Sequence, residues 1–229
     1  MIDPLELDRL STLLAKNRTW ANQVTAQNPE YFQKLSSGQS PGFTVVSCCD
    51  SRADPNTLLQ GNLGELFVYK NVANLVGVDD LSLQTALQFS IESLKVRHIV
   101  VFGHHNCGGI RLALGAQLQG SPGDWLEGVR ELAYDHQMFD DQTACASAGA
   151  IDRKVDKLCE LNVIQQVRNA SQSPAVQAAW IRGEPLAISG LVYCLRTGVV
   201  ENLNCTISSQ DEVDSVCFEA MKAICVRYR

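Results

Sequence analysis

Short apolar runs alternate along this chain with longer segments of helical periodicity. The runs have the composition of buried strands, and they lie at 43–47, 66–69, 98–102 and 186–195, with a further edge strand expected at 199–207. Apolar residues at helical spacing predict helices at 5–27, 81–95, 108–118, 152–170 and 174–182. This alternation favours an α/β fold, in which helices flank a mostly parallel central β-sheet.

The chain carries no repeat, low-complexity tract or linker that would separate a second domain. We therefore predict a single domain over 1–229. It is expected to consist of an N-terminal helical arm at 1–36, a core at 37–207 and a C-terminal helical extension at 208–229.

The extension at 208–229 has the pattern of a helix that docks on protein. Ser209 and Glu212 have capping-box spacing. The apolar residues that follow form one stripe, made of Val213, Val216, Cys217, Ala220, Met221, Ile224 and Cys225. A stripe of this kind is unfavourable in water, so we expect it to dock either on the same chain or on a partner.

Composition excludes several classes of function. The formal net charge of −6 repels phosphate backbones and argues against a nucleic-acid partner. Apolar runs such as 99–102 are far too short to span a bilayer, and the first residues have neither the cationic start nor the apolar stretch of a signal peptide. We expect an intracellular soluble protein, located in the cytoplasm or in an organelle lumen or stroma.

The nine cysteines are odd in number and irregularly spaced, which is not typical of a secreted disulfide framework. Cysteines in a reducing compartment are buried small residues, metal ligands or reactive thiols. We interpret Cys49 as a buried small residue. The cysteines without ligand spacing are interpreted as packing residues: Cys145, Cys159, Cys194, Cys205, Cys217 and Cys225.

Two motifs carry the chemistry. Residues 48–52 read Cys-Cys-Asp-Ser-Arg directly after the first predicted strand, and residues 104–109 read His-His-Asn-Cys-Gly-Gly directly after the third. Active sites in open α/β sheets gather at the carboxyl ends of the strands, so the motifs can converge. Two thiolates and one imidazole suit Zn²⁺, and three protein ligands leave a fourth position open for catalysis. Cys48, His104 and Cys107 are therefore the predicted ligands.

Neighbouring residues in the motifs have predicted supporting roles. Cys48, Asp50 and Arg52 are spaced by two and would share one face of an extended chain. Arg52 can then hold Asp50 ionised through a bidentate pair, and Asp50 can accept the hydrogen bond of a zinc-bound hydroxide. Gly108 and Gly109 let backbone approach the site closely. His105 is interpreted as a structural or partly exposed histidine.

Both motifs resemble the signature motifs of the β-class carbonic anhydrases. The resemblance extends over further segments, among them 17–21, 39–41, 64–68, 71–76, 160–163 and 177–183. It implies zinc-dependent reversible hydration of carbon dioxide to bicarbonate and a proton, through attack by a zinc-bound hydroxide. One Zn²⁺ per chain would be held by Cys48, His104 and Cys107, with Asp50 and Arg52 as the catalytic pair.

The resemblance also implies a substrate pocket and an assembly. Gln39, Phe67, Val72 and Gly108 would line a small pocket for carbon dioxide and bicarbonate. The family is built from dimers with the pocket at the interface, so a homo-oligomer is expected in which Gln39 and Phe67 come from the partner chain. The predicted core at 37–207 would then be the catalytic one.

Two other functions fit the same motifs. The same scaffold can act on carbon disulfide or carbonyl sulfide, because the motifs would be identical and only the access route would differ. A noncatalytic zinc-binding assembly subunit is the alternative from another class. The presence of both Asp50 and Arg52 argues against that subunit.

Overall fold

The computed structural model describes residues 4–115, 119–139 and 148–229. They fall into two compact units, Met1–Gln39 and Ser40–Arg229. Helix α1 (Pro4–Gln27) of the first unit confirms the prediction for 5–27. It is followed by a short helix that was not predicted, α2 (Tyr31–Ser36). Within this unit the rings of Trp20 and Phe32 pack edge to face at 5.5 Å.

The second unit alternates strands and helices. Its strands are β1 (Phe43–Cys48), β2 (Leu66–Asn71), β3 (His98–His104), β4 (Ala187–Tyr193) and β5 (Val200–Ile207). Its helices are α3 (Pro55–Leu58), α4 (Leu81–Gln88), α5 (Gly108–Ala113), α6 (Ser121–Asp135), α7 (Ala148–Ser171), α8 (Pro174–Ile181) and α9 (Val213–Arg227). A π-helical turn at Phe89–Ser93 extends α4.

The strands form a five-stranded sheet in the order β2-β1-β3-β4-β5 within the described residues. The first four strands are parallel, and β5 joins the edge antiparallel to β4. Side chains alternate between the two faces: Val46 and Val101 lie in the large core beside α7, whereas Val45 and Val100 lie in a smaller cluster on the other face. A parallel sheet buried on both faces explains the continuous apolar runs and confirms the predicted fold class.

Helices α5, α6 and α7 differ from the prediction. Helix α5 ends at Ala113 instead of near 118, and residues 116–118 lie outside the described residues. Helix α6 was not predicted, because two glycines and a proline interrupt its pattern. Helix α7 begins at Ala148, four residues before the predicted start. Cys145 lies in the segment that is not described.

The C-terminal helix docks on its own chain, on α7 and β5. Its buried residues are Val213, Cys217, Ala220 and Ile224, which confirms docking of the predicted stripe. Ser209 is the N-cap of the 3₁₀ turn before α9, but its side chain makes no cap hydrogen bond. The Glu212 carboxylate accepts hydrogen bonds from the backbone N–H and the hydroxyl of Ser208, at 2.7 and 2.9 Å, so the predicted capping box is only partly formed. This 3₁₀ turn covers Gln210–Glu212 and leads directly into α9. None of the described helices has the length and hydropathy of a membrane span.

Candidate metal centre

The two motifs meet because their strands are neighbours. Strands β1 and β3 pair in parallel, with Ser47 opposite Phe102, so the chain leaves both strands at the same edge of the sheet. The side chains of Cys48, His104 and Cys107 are almost fully buried there, with 4 %, 1 % and 1 % exposure. Their ligand atoms all lie within 4.8 Å of one another. The predicted convergence is therefore present in the structure.

The orientation of His104 suits a metal ligand. Its Nδ1 lies 2.9 Å from the backbone carbonyl of His105, and a carbonyl only accepts, so Nδ1 carries the proton. The lone pair is then on Nε2, which is buried and has no hydrogen-bond partner among the described residues. A buried, unpartnered nitrogen beside two sulfurs is what a thiolate- and imidazole-binding cation would occupy.

One of the two sulfurs, that of Cys48, already favours negative charge. The Sγ atoms of Cys48 and Cys107 are 3.8 Å apart, and the Cys107 thiol lowers the pKa of Cys48 by donating to it. The same contact, together with burial, raises the pKa of Cys107. Backbone N–H groups of Asp50 and Ala73 also lower the pKa of Cys48. One sulfur is thus prepared as a thiolate, and a thiolate is the form that binds metal.

Ala73 was not identified from the sequence as part of the site. It lies in a 3₁₀ turn directly after β2, with a φ of 67°. Its carbonyl accepts a hydrogen bond from the Asn162 amide of α7 at 3.0 Å. Both residues lie in segments that resemble the family, 71–76 and 160–163. Their role depends on a contact between residues 89 positions apart, which the sequence alone does not show.

Asp50 and Arg52 form the predicted bidentate pair. Arg52 Nε donates to Oδ1 at 3.0 Å and its terminal nitrogen donates to Oδ2 at 2.8 Å, while the Arg52 backbone N–H adds a bond of 2.9 Å. These bonds lower the pKa of Asp50 well below its usual range. The expectation of a shared extended face is wrong, because β1 ends at Cys48 and the Asp50 carbonyl accepts from Ala53 in a turn.

Asp50 also borders the candidate ligands. Its Oδ2 is 3.8 Å from Nε2 of His104, and the Asp50 side chain is 14 % exposed. Arg52 is 53 % exposed and lies on the solvent side of the pair. An ionised hydrogen-bond acceptor is therefore held beside the metal-binding atoms.

Two carboxylates of α7 support the loop between His104 and Cys107. The Asn106 backbone N–H donates to Asp156 at 2.8 Å, and the His105 ring donates through Nε2 to Glu160 at 2.8 Å. Both acids are at most 2 % exposed. His105 is thus structural, as one of the two sequence interpretations held, and it is buried. The sequence did contain a signal for these two residues: Asp156 and Glu160 are acids four residues apart in an otherwise apolar helix stripe, and this pattern was not used in the prediction.

The four predicted substrate residues lie at different distances from the Cys48, His104 and Cys107 cluster. Val72 follows β2, and a Cβ on Gly109 would meet it at 2.8 Å, whereas Gly108 has open space at its Cβ position among the described residues. Close approach therefore requires Gly109 and not Gly108. Phe67 pairs with Thr44, four positions before Cys48, which is roughly 13 Å along the strand. Gln39 belongs to the first unit, and its role stays a prediction.

The remaining cysteines divide by exposure. Cys49 is exposed, so the expectation that it is buried is wrong, because the chain leaves the sheet at this residue. Buried packing positions are confirmed for Cys159, Cys194, Cys205 and Cys217, and Cys225 is partly buried.

Comparison with known proteins identifies the family. Residues 43–200 match the family model described as carbonic anhydrase. The structure of a β-carbonic anhydrase from Coccomyxa, solved with acetazolamide, superposes with a TM-score of 0.81 at 36 % identity, over 95 % of this chain and 96 % of that one. The chain belongs to the β-carbonic anhydrase family.

Curated carbonic anhydrases support the same family membership. The one from Emericella nidulans is 34 % identical over 84 % of this chain and 82 % of its own length. The one from Saccharomyces cerevisiae is 33 % identical over 85 % and 89 %. A tetrameric β-carbonic anhydrase of Sordaria macrospora is 29 % identical with a TM-score of 0.79, over 88 % of this chain and all of that one.

Proposed function

We propose that this β-carbonic anhydrase catalyses the reversible hydration of carbon dioxide to bicarbonate and a proton, with one Zn²⁺ per chain held by Cys48, His104 and Cys107. The observation that carries the proposal is the buried triad of two sulfurs and one unpartnered imidazole nitrogen, next to a carboxylate held by arginine. The presence of the Asp50–Arg52 pair disfavours a noncatalytic zinc-binding subunit. The relatives from Emericella nidulans and Saccharomyces cerevisiae are carbonic anhydrases, which supports the same proposal.

The donor set fits zinc better than other common ions. Thiolates favour zinc over magnesium or calcium, which prefer oxygen ligands. Three protein ligands leave one position for water, as in catalytic sites. When bound, zinc supplies the nucleophile by lowering the pKa of water, to about 7 in carbonic anhydrases with three histidine ligands.

Asp50 and Arg52 orient the nucleophile in this proposal. Because Arg52 keeps Asp50 ionised, the Asp50 carboxylate only accepts hydrogen bonds. It can therefore accept the O–H of the attacking nucleophile and turn its lone pair toward carbon dioxide. The bidentate geometry fixes the Asp50 carboxylate plane, so little reorganisation is needed during the reaction.

The substrate pocket would be completed by a second copy of the chain. Val72 and Gly108 lie next to the cluster residues, and we assign them to the pocket wall. Phe67 is too far along β2 to reach the cluster of its own chain, which supports the proposal that Phe67, and with it Gln39, acts across a dimer interface. The tetrameric relative from Sordaria supports a homo-oligomer.

The test is a metal count together with an activity assay on matched cysteine variants. We expect Cys107→Ser to lose zinc and carbon dioxide hydration, because one of its three ligands is removed. Cys49→Ser is the control, since it removes an exposed thiol next to a ligand. Full zinc occupancy in Cys107→Ser would disprove the ligand set. Zinc binding with hydrolysis of carbon disulfide but no hydration would favour the alternative substrate.

A further inference from the structure

The end of helix α9 reaches the buried carboxylate that supports the metal loop. Glu160 is 1 % exposed. Its Oε1 accepts from the His105 ring at 2.8 Å and from the Tyr228 hydroxyl at 2.7 Å. Its Oε2 contacts the guanidinium of Arg227. Oε2 has this ion-pair contact but receives no hydrogen bond from the described residues. Two of the three groups that contact the buried carboxylate therefore come from the end of the chain.

These contacts matter because a buried carboxylate is costly without partners. An ionised acid away from water needs an opposite charge and hydrogen-bond donors. Arg227 supplies the charge, and Tyr228 supplies a neutral donor. Without them Glu160 keeps only His105, and a carboxylate freed of two restraints can rotate or draw in water.

Tyr228 is itself held firmly. The guanidinium groups of Arg153 and Arg227 both lie over its ring, at 5.6 and 5.5 Å from the ring centroid. Arg153 also donates to the backbone carbonyls of Arg227 and Arg229, both at 3.3 Å. Burial raises the pKa of Tyr228 to about 12, so its hydroxyl remains a donor at working pH.

The connection from Glu160 to the metal site runs through one residue. Glu160 fixes the ring of His105, and the backbone carbonyl of the same His105 accepts from Nδ1 of His104 at 2.9 Å. That hydrogen bond sets the tautomer and the ring orientation of His104, and groups that orient a ligand in this way tune metal affinity. Asn106 in the same loop is held by a different carboxylate. Its backbone N–H donates to Asp156 Oδ1 at 2.8 Å, and the Arg196 guanidinium donates to the other oxygen of Asp156 at 2.5 Å.

We propose that Arg227 and Tyr228 are positioning residues of the metal centre, which act through Glu160 and His105 on the ligand His104. The inference rests on the proposed zinc site. It assigns to the C-terminal helix a role in the chemistry beyond covering the core.

The experiment compares Tyr228→Phe with Tyr134→Phe, a control on an exposed tyrosine of α6. Zinc affinity is measured by competition with a chromophoric chelator, well below the melting temperature. We expect Tyr228→Phe to weaken zinc binding about 3- to 10-fold, less than the roughly 10- to 100-fold typical of groups that contact a ligand directly. The turnover number should fall with KM unchanged, and the visible spectrum of the Co²⁺-substituted protein should shift.

Arg227 provides a second pair of variants. Arg227→Gln removes the charge beside Glu160 and should weaken zinc binding, whereas Arg227→Lys keeps the charge and should restore most of the affinity. Lower melting temperatures with unchanged zinc affinity, unchanged turnover and an unchanged Co²⁺ spectrum would show a merely structural role and overturn the inference. If the unaltered chain bound no zinc, the proposed function itself would fail, so the two failures are distinguishable.

Discussion

At the scale of single residues, Arg52 decides the charge of Asp50. Three hydrogen bonds from the same residue converge on one carboxyl group, and the pKa of Asp50 is lowered in consequence. Asp50 is therefore an acceptor over the whole working pH range and does not exchange protons there. Asp50 must therefore contribute by orienting a hydrogen bond. An asparagine side chain at this position would have nearly the same shape as the carboxylate but would lack its charge.

We predict that Asp50→Asn lowers kcat/KM for carbon dioxide hydration by about 10²-fold, the order of loss expected when one positioned hydrogen-bonding group is removed from a catalytic site. The amide can present an N–H toward the nucleophile and loses the bidentate pair with Arg52. Zinc content should be unchanged, because Asp50 is not among the proposed ligands. Asp79→Asn, a change at an exposed aspartate, is the control. Activity equal to that of the control would contradict the assigned role.

The ligand charges predict the pH dependence of the reaction. Two thiolates formally cancel the charge of Zn²⁺, and a less positive metal acidifies its water less than one with three imidazoles does. We expect hydration activity to rise with pH through and above neutrality. Stopped-flow rates measured from pH 6 to pH 9 check this. A rate that is already flat from mildly acidic pH upward would count against it.

The sequence was sufficient to predict residues whose chemistry is local. Cys48, His104 and Cys107 stand out because strand ends and ligand types coincide. The pairing of Asp50 with Arg52 was predicted from opposite charges close in sequence, although the extended geometry assumed for it was wrong. Ala73, Asn162 and Glu160 could not be assigned roles. Their partners lie 55 to 89 residues away, and only the packing of α7 on the sheet brings them there.

At the scale of secondary-structure elements, α7 and the sheet meet through two strand glycines. A Cβ on Gly103 of β3 would lie well under 3.0 Å from Val163, and one on Gly190 of β4 would lie 3.0 Å from the same valine. Val163 thus fills the space that both glycines leave open. Because Gly103 directly precedes His104, this contact also fixes the distance between α7 and the part of β3 that carries the candidate ligand His104.

We predict that Gly103→Ala destabilises the protein by about 1–3 kcal/mol, the usual cost of overpacking a filled core. Val163→Ala in the same chain should recover part of that loss, because it removes the methyl groups that the new Cβ would meet. Gly128→Ala on α6, where a Cβ has open space, is the control. Urea unfolding of the three variants measures the effect, and an unchanged midpoint in Gly103→Ala would refute it.

Helix α9 offers a matched pair of residues on opposite faces. Ile224 is 2 % exposed and Val226 is 56 % exposed. We expect Ile224→Ala to lower the free energy of unfolding by about 2–4 kcal/mol, since it leaves a cavity against the core. Val226→Ala should change it by less than about 0.5 kcal/mol. Equal effects in denaturant melts would show that the docking in solution differs from the one described.

Element types were predictable where periodicity was strong, and boundaries were not. The strands and α7 follow from long apolar patterns. Helix α6 was not predicted because Gly123 and Gly128 interrupt its apolar pattern, although the folded helix accommodates both glycines. The predicted capping box before α9 is only partly formed: Ser209 caps the preceding 3₁₀ turn without a side-chain hydrogen bond, and Glu212 accepts from Ser208 instead. Local winding of this kind depends on how the helix meets β5 and is not encoded in the spacing of Ser209 and Glu212.

At the scale of the whole molecule, several carboxyl groups link folding to pH. Hydrogen bonds from Arg52, Asn62 and Ser208 lower the pKa values of Asp50, Glu65 and Glu212 respectively. A carboxyl group whose pKa is lower in the folded state stabilises the fold while it is ionised. That stabilisation is complete above the ordinary values of 3.8 for Asp and 4.5 for Glu, and it is lost as the pH falls below them.

We therefore predict a melting temperature that is nearly constant from pH 7 to about pH 5 and that falls steadily below about pH 4. Circular dichroism melts across this range measure it. The triple variant with Asp50→Asn, Glu65→Gln and Glu212→Gln should start lower and show a shallower acid slope. A slope as steep as that of the unaltered chain would mean that other groups control the acid response.

The distance in sequence between the ligands has a consequence for how the protein acquires its metal. Cys48 and Cys107 are 59 residues apart and become neighbours only when β1 pairs with β3. A chain still being synthesised therefore has no complete ligand set until both strands have emerged and joined. In the proposed function, zinc would bind the finished fold and would add stability by mass action, about 2.7 kcal/mol at a free concentration one hundred times Kd. A supply of the proposed metal would therefore favour folded molecules in the population, because the complete ligand set exists only after β1 and β3 have paired.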